Sequence, residues 1–171
     1  MVQKNIVATV VSSLAIALSF TSPSAFADVG SHGHGASHSA AHASQEEVFG
    51  KPGDVKKVDR TIAVEMTDAM RFGPATVTVK QGETIRFAVT NKGNLLHEMV
   101  LGTMGELKAH GKAMSQQPDA AHDDPSAARV EPGQKGDIVW QFTRTGDFYF
   151  GCLIPGHFEA GMIGKIKVLK G

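Results

Sequence analysis

The stretch GCLIPGHFEAGMIG, residues 151–164, carries the chain's only cysteine, with His157 five positions after Cys152 and Met162 five after that. A thiolate, an imidazole and a thioether at this spacing can fold back from one loop onto a single ion. Thiolate and thioether are soft donors that favour Cu(I), and imidazole serves both oxidation states of copper. A second imidazole would complete the two-histidine, one-cysteine set with a weak methionine found in electron-transfer copper sites. His97, in LLHEMVLG, is the candidate: it follows the turn signal Asn91–Asn94 and sits among Leu95, Leu96, Met99 and Val100. Taken singly, a buried thiol, a loop histidine and a core methionine are ordinary packing. A nucleophilic Cys–His pair would need an oxyanion hole and an orienting third group, and the sequence shows neither. The conjunction of four donors is what points to metal.

Those donors need rigid elements to hold them, and the surrounding pattern supplies strands. Ile62, Val64 and Met66 alternate with Thr61, Ala63 and Glu65, and Ile85, Phe87 and Val89 alternate with Thr84, Arg86 and Ala88. Val77 and Val79, then Ile138, Trp140 and Phe142, then Phe148 and Phe150, and finally Ile166 and Val168 repeat the period of two. Short alternating runs separated by Gly, Pro and Asn turns predict an all-β sandwich or barrel. Cys152, His157 and Met162 then fall on the loop between the last two strands. Residues 105–128 break the pattern and read as a short helical insert followed by a surface excursion.

The N-terminal side has a different character. Lys4, the apolar run Ile6–Phe20 and Ala25-Phe26-Ala27 form a secretory signal peptide over residues 1–27, cleaved after Ala27. The apolar run is shorter than the roughly 20 residues of a spanning helix, so the mature chain is expected to be exported to the periplasm without membrane insertion. Residues 28–56, rich in Gly, Ala, Ser and His, have too few large apolar side chains to bury a core and read as a disordered tail, leaving 57–171 as the folded domain. Lys plus Arg and Asp plus Glu both number 17, which offers nucleic acid no electrostatic footprint. A single cysteine in an oxidising compartment also excludes an internal disulfide framework.

The segments MRFGPATVTVKQGETIRFAVTNKGNLLHE (70–98) and GDFYFGCLIPGHFEAGMIGKIKV (146–168) resemble the cupredoxins, the small blue copper proteins, and the resemblance runs from about Val58 to Leu169. The Cys-x₄-His-x₄-Met spacing is similar to the rusticyanin type. The resemblance implies a Greek-key β-sandwich with one type 1 copper held by His97, Cys152, His157 and Met162. The His-rich leader and the Met/His insert are most similar to periplasmic cupredoxins linked to copper tolerance. Two roles follow as expectations for this monomeric, non-enzymatic protein. One is a one-electron carrier docking transiently with redox partners; the other is a copper buffer or delivery protein working with copper-handling proteins. His32, His34, His38 and His42 offer weak extra copper capture or plain solubility. Met99, Met104, His110 and Met114 offer either a Cu(I) site or helix packing.

Overall fold

The computed structural model describes residues 48–116 and 124–171. They form ten strands and one helix: β1 (Gly50–Pro52), β2 (Arg60–Thr67), β3 (Arg71–Gly73), β4 (Thr76–Lys80), β5 (Thr84–Asn91), β6 (His97–Gly102), α1 (Met104–Gln116), β7 (Ala127–Val130), β8 (Lys135–Phe142), β9 (Gly146–Gly151) and β10 (Ile163–Leu169). The strands make two five-stranded sheets, ordered β1-β8-β5-β2-β3 and β4-β10-β9-β6-β7. Consecutive strands cross repeatedly between the sheets, so β2 lies parallel to β5 and β4 parallel to β10 within a mostly antiparallel Greek-key sandwich.

The alternating residues close the core between the sheets. Val64, Met66, Ile85, Phe87 and Val89 from one sheet meet Val77, Val79, Phe148, Phe150, Ile166 and Val168 from the other, all buried. Full burial of each such side chain stabilises the fold by about 1.5–3 kcal/mol. Aromatic pairs fix the packing: Trp140 stacks on Phe49 at 5.0 Å, and Phe72 meets Phe150 edge-on at 4.9 Å.

The sandwich starts earlier than the tail reading placed it. Phe49 is 2% exposed against Trp140, and β1 pairs with β8 through Gly50 and Phe142, so residues 49–52 belong to the sandwich rather than to a tail. Gly50 is required there, because a Cβ would run into the Trp140 indole and the Gln141 carbonyl. Phe49 packing on Trp140 and Phe148, together with the pairing of β1 to β8, docks a segment that polar neighbours made look unstructured. The histidines at 32, 34, 38 and 42 and residues 1–27, read above as a signal peptide, lie outside the described residues.

The insert is also more ordered at its ends than a surface excursion. Its last residues form β7, paired to β6 through His97 and Val130. The helix starts at a reciprocal cap: Thr103 Oγ1 accepts from the Glu106 amide at 3.2 Å, and the Glu106 carboxylate accepts from the Thr103 amide at 2.7 Å. Leu107 from the helix packs with Val100 and Leu153 over the outer face of the second sheet. Strand β6 is therefore buried on both faces along its whole length.

Candidate metal centre

His97 opens β6, immediately after a turn that is held from inside. Asn91 is fully buried; its side chain donates to the carbonyls of Leu95 at 2.8 Å and Val130 at 2.9 Å and accepts from the Gly93 amide at 2.9 Å. Cys152 follows β9 directly, and the loop to β10 folds back on itself. Gly156 and Gly161 adopt φ of 87° and 90°, a region that only glycine enters without strain. The Met162 amide donates to the His157 carbonyl at 3.0 Å, and the Cys152 amide to the Met162 carbonyl at 3.1 Å. These bonds bring the two ends of the loop, Cys152 and Met162, side by side in the core, each 0% exposed.

The three nitrogen and sulfur donors converge. His97 Nδ1 lies 3.2 Å from His157 Nδ1, and His157 Nδ1 lies 3.3 Å from Cys152 Sγ. The donor atoms of all three residues fall within 4.8 Å of one another. Atoms bound at about 2.0–2.3 Å to a shared ion in one plane would stand roughly 3.5 Å apart. A single proton on His157 Nδ1 can serve only one of its two neighbours, whereas a cation at the centre satisfies all three lone pairs. The donor set is thus sized and aimed for one ion with soft-to-intermediate preferences, which is copper's profile.

Charge and burial set each group's state. Asp68, in the turn after β2, accepts from His97 Nε2 at 3.1 Å and from the amides of Asn94 at 2.7 Å and Leu95 at 3.2 Å. These bonds, the Asn94 amide first, hold its carboxyl down at about 2. The ionised carboxylate can only accept, so it keeps the His97 proton on Nε2 and leaves Nδ1 bare toward the centre. Burial lowers the His157 imidazole, with His97 adding to the effect, so that ring is neutral at pH 7. Burial pushes the Cys152 thiol up to about 11, despite the amides of Glu98 and Ile154 pointing at the sulfur. Glu98 is itself buried: its carboxylate accepts from the Leu153 amide at 2.9 Å, and its own amide reaches Cys152 Sγ at 3.4 Å. Burial raises the Glu98 carboxyl, offset by the Leu153 amide, Arg129 and His110.

The structure brings His97, Cys152 and His157 together and places Met162 beside Cys152 through the backbone. It places Met99 and His110 on opposite faces of the second sheet. Met99 faces the sandwich core, Met114 is buried, and His110 lines the opposite, helix-covered side of the sheet. Sequence reasoning missed Asp68, Arg71 and Glu98. Glu98 did leave a signal, a lone charge inside the apolar run LLHEMVLG. Asp68 left none, because its partner His97 is 29 residues away.

Comparison with known proteins agrees with this geometry. The family model of copper-binding proteins of the plastocyanin/azurin family matches residues 58–169. The chain is 55% identical to the copper-resistant cuproprotein CopI of Rubrivivax gelatinosus over 83% of this chain and 86% of that one. It is 34% identical to the protein of the same name from Pseudomonas aeruginosa, over 80% of this chain and 89% of that one. Among solved structures, auracyanin B shares the fold with a TM-score of 0.60 at 22% identity, over 71% of this chain and 96% of that one. A sandwich whose second to last strands match the family model, with buried donors at one end, makes this chain a member of the plastocyanin/azurin family of copper-binding proteins, related to the copper-resistance cuproproteins.

Proposed function

We propose that His97, Cys152 and His157 hold one copper as a type 1 site, with Met162 as the weak thioether, in an exported protein that serves copper tolerance in the periplasm. The carrying observation is the convergence of three buried donors at 3.2–3.3 Å from two distant segments. Copper bound there supplies one-electron chemistry between Cu(II) and Cu(I). The chain's residues do the rest. Cys152 gives up a proton to become the anionic donor. Asp68 holds the His97 tautomer, and the amides of Glu98 and Ile154 spread the charge on sulfur. The fully buried setting of Cys152 and Met162 excludes water. The His157 side lies nearest solvent, next to exposed Pro155 and Gly156 in the same loop, which gives a redox partner a place to dock close to the donors.

A second reading, copper sequestration or delivery, is favoured by the likeness to two copper-resistant cuproproteins and by the histidines at 32, 34, 38 and 42. Titrating the mature protein, cleaved after Ala27, with Cu(II) while recording visible absorption and electron-spin spectra tests the first. An intense thiolate-to-copper band complete at one equivalent, lost in Cys152→Ser, is the expected result. A pale spectrum saturating at several equivalents would instead assign copper to the histidine-rich segment. A deletion that separates the two roles in cells must stop at residue 47, since Phe49 is part of the core.

A further inference from the structure

The geometry points to the turn between β2 and β3, residues 67–71, as a brace that holds the two donor-bearing segments of the metal site at a fixed separation. This inference rests on the proposed ligand set. The turn belongs to the first sheet, whereas His97 and the 152–162 loop belong to the second. From its start, Asp68 accepts from His97 Nε2 and from the Asn94 and Leu95 amides, so it anchors the segment that delivers the first imidazole. From its end, Arg71 Nη1 donates to the Ala160 carbonyl at 3.0 Å, inside the loop that delivers the second imidazole. The same nitrogen donates to the Met70 carbonyl at 2.7 Å, which stiffens the arm.

Two further observations show that the chain accepts strain and close approach to keep this turn in place. Met70 is the one non-glycine residue with positive φ, 56°, among the described residues, a conformation that side chains with a Cβ rarely adopt. Gly93 sits so near the Asp68 carboxylate that any Cβ would overlap it. Asp68 and Arg71 are three residues apart on a tight turn, so neither can move without shifting the other. The 3.2 Å gap between the two imidazole nitrogens is therefore set from outside the site, by an element that touches no metal. A site fixed in this way changes little between oxidation states.

The test uses Asp68→Ala, Arg71→Ala and the double variant, with Cu(II) affinity from chelator competition and copper hyperfine splitting from electron-spin spectra. Each single change should weaken binding about 10-fold, the lower end for outer-shell residues. The double variant should be no weaker than the worse single, because cutting either end releases the same brace, and both singles should move the hyperfine splitting in the same direction. Losses that multiply to roughly 100-fold would mean two independent local contacts and would overturn the brace. So would affinities and spectra equal to the parent's. Asp68→Ala strips four N–H groups, two of Asn94 and one each of Leu95 and His97, of their acceptor, so Asp68→Asn and Arg71→Lys are made alongside, with metal-free thermal unfolding as the check on folding. Arg71→Lys should recover most of the affinity that Arg71→Ala loses. A parent protein without the thiolate band at one equivalent would remove the ligand assignment itself, whereas an intact band with indifferent variants would remove the brace alone.

Discussion

Copper uptake should release one proton from Cys152 across an unusually wide pH range. An ordinary thiol titrates at about 9.0, and burial pushes Cys152 up to about 11. At pH 7 the thiol is four units below its midpoint, so making the thiolate costs about 5 kcal/mol, falling by about 1.4 kcal/mol for each unit of pH. Metal binding must meet that cost, so the apparent Cu(II) affinity should rise about 10-fold per pH unit. His157 adds nothing to this slope above pH 7, because burial lowers its imidazole and keeps it neutral there. Chelator competition at constant ionic strength from pH 7 to 10, with a weakly buffered indicator counting protons, would measure both quantities. The expected plot is straight with unit slope to pH 10; a plot that bends flat near pH 9 would show that the sulfur is not desolvated as its surroundings require. The metal-free fold carries the same signature. The folded state holds the thiol proton more tightly than the unfolded chain, so this group leaves stability unchanged from pH 6 to 8. It then removes about 3 kcal/mol as pH rises through 9 toward 11.

Phe49→Ala should destabilise the metal-free protein by about 3–5 kcal/mol. That is a fall of roughly 10–20 °C in Tm by calorimetry; a change within 2 °C would mean that β1 is not docked. Glu98→Ala leaves the buried Leu153 amide without its acceptor and should cost about 1–3 kcal/mol in urea unfolding. Glu98→Gln keeps that acceptor and removes a charge that burial disfavours. Because the folded state favours the protonated carboxyl, the parent loses stability as pH rises through the carboxyl range, so the advantage of Glu98→Gln should widen from pH 4 to 8. An advantage that narrows would show that Arg129 and His110 outweigh the cost of burial.

The local information in this chain was sufficient for much of the outcome. Period-two alternation in Ile62–Met66, Ile85–Val89 and Ile138–Phe142 marked strands because a half-buried sheet needs one apolar face, and these segments became β2, β5 and β8. The spacing of Cys152, His157 and Met162 was legible because those residues share one loop, where distance along the chain limits distance in space. His97 could be named because imidazole is scarce in the domain and lies beside a turn. What needed the tertiary structure were the features made by residues distant in sequence. Phe49 became core only by meeting Trp140, β7 became a strand only by pairing with β6, and the helix found its face only on the outside of the second sheet. Asp68 and Arg71 illustrate the physical reason most directly. A carboxylate and a guanidinium on an exposed turn are indistinguishable by composition from solvated surface charges. Only the fold brings them to His97 and to Ala160, 29 and 89 residues further along the chain.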